Sequence, residues 1–313
     1  MKSDILKLWT FVIASLIGGA LLTPWLFEAG KGLAEAELNH PTGVGAISWL
    51  AEKARSHPYE DFFKRSLTIV AVLLLYPTYR WIKKSEAGSN RHQLKKNPVR
   101  FKDWALGFIV ASNLLLTLGF LGVSTGFYEF DEPIEVAKGL KKAIGPALGA
   151  GIIEELLFRG ALLGIFLRSC KSSRSAAIGL SVLFAVVHLL QPPPGIQVDE
   201  ANAGSGTGFW ILGQIGMRFL EPSFFIAEVC TLFLIGLVLA SARIRTASLW
   251  LPIGLHMGWV FSYTFFKRIT ERTEEGSLWL IGDTLKEGVA PLLVVGLTWW
   301  LVNRYLAKRP QTS

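Results

Sequence analysis

The sequence predicts an all-α, polytopic helical membrane protein, and three observations carry that prediction. Hydrophobic residues fill 51% of the 313 positions against 18% that are charged. Mean hydropathy is +0.40, which a soluble domain of this length would struggle to keep dispersed. The apolar residues fall in blocks close to the roughly 20 residues that cross a hydrocarbon core. The net charge of +8 sits mainly in short segments beside those blocks, where membrane topology places Lys and Arg, and this argues against nucleic acid as a partner.

Taken in order, the blocks give about eight spans, near 8–27, 66–82, 104–124, 143–168, 176–190, 224–241, 247–266 and 289–306. The first follows Lys2 and Lys7 and exceeds the roughly 7–15 apolar residues of a secretory signal, so it reads as a retained anchor. The most basic connector follows the second span, with Lys83, Lys84, Arg91, Lys95, Lys96, Arg100 and Lys102. Alternation then puts Arg168, Lys171 and Arg174, Arg243 and Arg245, and Arg304, Lys308 and Arg309 on the same side. Both termini are expected in the cytoplasm, and the acidic connector of Glu129, Asp131, Glu132 and Glu135 outside, as in a bacterial inner membrane.

The longest external stretch, 191–223, opens with Pro192, Pro193 and Pro194 and continues through glycines that disfavour a regular helix. It reads as a surface loop, with a substrate-covering lid or re-entrant segment as the sharper alternative. No segment is long enough for a separate soluble domain, so 1–313 reads as a single membrane domain. Cys170 and Cys230 lie in or beside apolar blocks and suggest no disulfide framework.

Ionisable groups within spans are expensive and normally face a polar cavity or a partner. The fourth span holds Glu154, Glu155 and Arg159 within two helical turns. On a helix Glu155 and Arg159 share a face and neutralise each other, while Glu154 is rotated by about 100° from its neighbour. Glu154 is thereby the candidate general base, a poorly solvated carboxylate beside another carboxylate. The competing account is a buried ion cluster that only fixes packing.

The fifth span adds Phe184 and His188 one turn apart, and the seventh adds His256; the other histidines, His40, His57 and His92, lie in connectors. Small residues at 145, 147, 149, 150, 151, 160, 161 and 164 are expected to let neighbouring helices approach the fourth span closely.

This ordered set, EExxxR, then FxxxH, then a third helix with histidine, resembles the type II CAAX-processing and bacteriocin-processing family (CPBP, also called ABI) of intramembrane endopeptidases, over roughly 143–266. The resemblance implies a helical bundle of about eight spans with a water-filled intramembrane catalytic chamber. It implies that Glu154 activates water with His188 assisting, that Glu155, Arg159 and Phe184 support them, and that His256 stabilises the oxyanion. The family's third motif usually reads HxxxN; here the last position is Val260, which removes an amide donor. The implied activity is metal-independent glutamic proteolysis, without a cofactor, of a membrane-associated protein or peptide, such as a C-terminal anchor or sorting signal.

Two other readings compete. The same Glu and His side chains suit zinc, although no HExxH is present. A noncatalytic scaffold, immunity factor or transporter is favoured by Val260. Glu228 reads as a second chamber acid, a partner for Arg218 or a helix-end ion. Asn113 reads as an interhelical bond, and Cys230 has no activating group in sequence.

Overall fold

The computed structural model describes residues 2–83, 94–193, 195–218, 220, 228–273, 280–282 and 284–308. Lys84, Glu86 and Arg91 of the basic connector, Pro194, the first residues of the block at 224–241 and Arg309 lie outside them, as does the side chain of Arg218. The chain divides into two compact units, Met1–Gly88 with Leu189–Glu221, and Ser89–His188 with Pro222–Ser313.

Every apolar block contains a helix. In the first unit these are α1 (Lys2–Asn39) and α3 (Tyr59–Lys83), with α2 (Gly45–Ser56) between them. In the second they are α4 (Arg100–Ser124), α5 (Val136–Leu148) running on to α6 (Leu163–Ser169), α7 (Ser173–Leu189), α9 (Cys230–Thr246), α10 (Trp250–Ile269) and α11 (Val289–Ala307). Among the described residues, three helices are long and apolar enough to cross a membrane: Leu6–Asn39, Arg100–Ser124 and Val289–Ala307. Ser173–Leu189 is apolar but shorter. The first turns of α3 carry Glu60, Asp61, Lys64 and Arg65, and α10 mixes His, Trp, Tyr and Gly into its apolar run, which dilutes both.

In the first unit, Phe27, Ala34, Ala54, Tyr59, Phe62 and Phe63 form a core with Ile211 and Ile215. The last two belong to α8 (Thr207–Arg218), which corrects the expectation that 191–223 is irregular. The glycines there do not break the helix because Ile211 and Ile215, four apart and both buried, tie it to the core. Gly208 permits the contact: a Cβ there would lie 2.3 Å from the Ala20 carbonyl oxygen. The α1–α2 turn closes on Glu37, which accepts from the Thr42 amide at 3.1 Å and the Ser48 hydroxyl at 2.6 Å.

The second unit is built on the crossing of α4 with α10. Gly107, Gly254 and Gly258 allow backbone to meet backbone, since a Cβ on Gly254 would stand 2.1 Å from the Trp104 carbonyl oxygen and one on Gly258 2.6 Å from that of Phe108. Close approach of this kind suits helices in lipid, where association rests on packing. Ala111, Leu115, Val238, Leu251, Leu255 and Trp259 fill the core around the crossing. A two-stranded antiparallel sheet, β1 (Tyr128–Phe130) with β2 (Thr270–Arg272), ties the chain after α4 to the end of α10, with Glu129 opposite Glu271. At the other end buried Asp103 accepts from Asn97 and Tyr305, both at 2.7 Å. Asn113 donates to the Ile109 carbonyl within α4, which corrects the expectation of an interhelical bond.

Candidate active site

The fourth apolar block is not wound as expected. Between α5 and α6 the backbone forms two π-helical stretches, Gly149–Glu154 and Leu156–Leu162, flanking Glu155. Such wide turns are rare and concentrate at functional sites. Of the small residues expected to admit neighbours, Ala147 and Gly151 are buried, whereas a Cβ on Gly145 or Gly149 would meet open space. α10 comes close at Gly151: a Cβ there would lie 2.1 Å from Met257 Cγ and 3.2 Å from the Met257 amide nitrogen.

The six residues singled out from the sequence come together in the second unit. Arg159 donates from Nη1 to Glu155 Oε1 at 2.7 Å and from Nη2 to the Gly236 carbonyl at 3.3 Å. Both side chains of that ion pair are fully buried. His256 Nδ1 stands 2.8 Å from the same Glu155 oxygen. An oxygen already accepting from a guanidinium belongs to an ionised carboxylate, so Nδ1 donates and the His256 Nε2 edge is left to face Glu154, 3.9 Å away.

His188 is oriented in the same way. Its Nδ1 lies 2.8 Å from the Phe184 carbonyl, which only accepts, so Nδ1 carries a proton. Its Nε2 is 3.2 Å from Glu154 Oε2. That oxygen is enclosed between the two imidazoles without a protein hydrogen bond of good angle, although the Glu154 side chain as a whole is 32% exposed.

Phe184 organises the cluster from behind. Arg159 stacks over its ring at 4.4 Å, His188 lies 4.1 Å from it between centroids, and His256 lies 6.0 Å away. Phe158 closes the far side edge-on at 5.1 Å. The Glu155–His256 contact and the Gly236 carbonyl were not anticipated. The first joins residues 101 positions apart and the second is a backbone group, so neither leaves a local mark in sequence.

Among the described residues no group of three or more His, Cys, Asp and Glu side chains has the geometry to hold a metal ion. Glu228 pairs with Lys286 at 2.9 Å, and the side chain of Arg218, its expected partner, lies outside the described residues. A cavity of about 780 Å³ opens beside β1 and β2, lined by Tyr128, Glu129, Glu271 and Arg272 among others, and the cluster does not contribute to its walls.

The cluster thus gathers an acid, two imidazoles and a buried ion pair from three apolar segments of the second unit. Residues 138–262 match the Rce1-like family, described as type II CAAX prenyl endopeptidase Rce1-like, so this stretch is similar to the CAAX-processing type that the motifs resembled. The matched stretch contains all six residues of the cluster and Val260. The match implies a protease, and with the apolar helices an integral membrane protein. No curated protein and no solved structure matches the chain.

Proposed function

We propose that this protein is a metal-independent intramembrane endopeptidase in which Glu154 and His188 activate water and His256 stabilises the oxyanion. The carrying observation is the placement of Glu154 Oε2 between two imidazole Nε2 atoms, at 3.2 and 3.9 Å, within a domain matching a protease family. Water beside Glu154 gives its proton to the Glu154–His188 pair as its oxygen attacks the scissile carbonyl. Negative charge then develops on the carbonyl oxygen, where the His256 Nε2–H donates. Glu155 stabilises the imidazolium form that makes this donation, through its bond to Nδ1. When the C–N bond breaks, the proton taken from water passes from the Glu154–His188 pair to the leaving amine, which restores the starting state.

The proposed substrate is a membrane-associated protein or peptide, with C-terminal anchor or sorting-signal maturation as the favoured use. The proposed setting is a bacterial inner membrane crossed about eight times, with both termini and the connector 83–103 in the cytoplasm. Supporting this topology are a helix in every apolar block and basic residues on alternate connectors. Val260, where the family usually carries asparagine, favours the noncatalytic reading, because one missing oxyanion donor lowers turnover by roughly a hundredfold to a thousandfold.

The test compares membrane-protein termini by mass spectrometry between cells carrying the wild type and Glu154→Ala at matched levels. Termini present only with the wild type, still produced in chelator-washed membranes, are expected. Identical termini in both strains would sink the proteolytic reading, and processing lost to chelator and restored by zinc would sink the metal-free mechanism.

A further inference from the structure

The catalytic helix keeps one face against α10 with a spacing that an α-helix cannot sustain. Gly139, Ala143, Ala147, Gly151, Glu155 and Arg159 are all buried, each four residues after the last. Gly139 meets Phe265 and Ile269 of α10, Gly151 meets Met257, and Glu155 meets His256, so the row descends α10 in order. The next row round the helix, Leu140, Ile144, Leu148, Ile152 and Leu156, is exposed throughout. In an α-helix each four-residue step overshoots a full turn by about 40°, so five steps would carry the row about 200° around the helix. A π-helical turn holds more than four residues, and the same step then falls short of a full turn. The two π-helical stretches between Gly149 and Leu162 cancel the drift accumulated in α5.

The consequence falls on the paired acids. With α winding, Glu154 comes seven residues after Ala147 and returns to within about 20° of it, while Glu155 lands about 80° away. That geometry would turn Glu154 toward α10 and Glu155 away from it. The observed order is the reverse: Glu155 is fully buried on His256 and Glu154 is the partly exposed acid.

We propose that the wide winding of 149–162 assigns the two adjacent glutamates their places, holding Glu155 on the row against α10 and thereby leaving Glu154 as the acid on the accessible side. Gly151 is the positioning residue at the centre of this arrangement, because a side chain there would push the wide turn off Met257. The catalytic meaning rests on Glu154 being the base, while the placement itself does not.

Carboxyl modification of the solubilised full-length protein by a carbodiimide and an amine, mapped by mass spectrometry, reads the placement without any turnover assay. In the wild type, Glu154 is modified and Glu155 is protected. Deleting Ala150 removes the surplus residue of the first wide turn, so the segment winds as α-helix and Glu155 stays protected. Inserting one alanine after Ala150 moves Glu154 onto the row, and the pattern reverses. An α-helical segment would instead respond to deletion and insertion alike, by turning Glu155 off the row about 100° in either direction. Exposure of Glu155 by the deletion would overturn the proposal. Should neither length variant fold, equal or reversed modification of the two acids in the wild type would also overturn it. If the labelling holds while Glu154→Gln retains turnover, the mechanism fails and the placement stands.

Discussion

Lys31 in the first unit and Arg159 in the second each hold a glutamate, under opposite conditions. Lys31 reaches Glu200 at 3.2 Å with side chains 30% and 40% exposed, and its ammonium also contacts the Arg55 and His57 carbonyls at the end of α2. Arg159 and Glu155 are bonded at 2.7 Å with neither side chain exposed. Water can take over either half of the first pair if the other is removed. Removing half of the second leaves a charge where nothing else solvates it. Similar residue types therefore act as a loose tie in one unit and as a structural requirement in the other.

The largest effect that can break this comparison is at Glu155. Glu155→Gln strands the Arg159 guanidinium and weakens the hold on His256, and the expected loss of stability is about 3–5 kcal/mol, the range for losing one partner of a buried pair. Thermal or denaturant unfolding of the purified protein reads it. Glu155→Gln combined with Arg159→Met should recover a large part of that loss, because no unpaired charge is left behind. A single variant as stable as the wild type would mean that water reaches the cluster after all.

Between these extremes lies Lys286, bonded to Glu228, with side chains 38% and 9% exposed. Burial disfavours the charged lysine, but Glu228, with Tyr263 and Glu287, outweighs burial and raises its pKa above the ordinary 10.5. A raised folded-state value contributes stability that is fully present below pH 10.5 and fades as pH climbs through the raised value. Wild type and Lys286→Met should thus differ in melting temperature at neutral pH and converge in strong alkali. A difference that persists undiminished there would show that the lysine acts through packing of its stem instead of its charge.

Much of this contrast is legible in the chain itself. Apolar blocks announce helices because lipid selects them as continuous runs, and EExxxR announces its ion pair through four-residue spacing. The motif residues Glu154, Phe184, His188 and His256 do converge. Two features leave no such mark in the sequence. The helices α2 and α8 are short or glycine-containing, and only contacts such as Ile211 on the first-unit core and Gly208 on Ala20 reveal why they form. The π winding escaped because an apolar block says nothing of its pitch, although small residues at 139, 143, 147 and 151 ahead of Glu155 and Arg159 are a strict period of four that a helix of 3.6 residues per turn does not explain.

The smallest expected effect sharpens the comparison from the exposed side. Lys31 sits over the Phe27 ring at 5.2 Å, so its truncation removes packing as well as charge. A double-mutant cycle of Lys31→Met with Glu200→Gln separates the two, since methionine preserves most of the stem. The coupling energy should fall within about 0.2–1 kcal/mol, as for exposed pairs, and shrink further when salt is raised. Lys31→Met alone should cost somewhat more than the coupling, because the carbonyls of Arg55 and His57 at the end of α2 lose a cationic donor that water replaces only in part. Unfolding measurements on the four proteins of the cycle, at low and high salt, give both quantities. A coupling of several kcal/mol that ignores salt would place Lys31 and Glu200 in the same dry regime as Arg159 and Glu155, and the distinction between the two units would collapse.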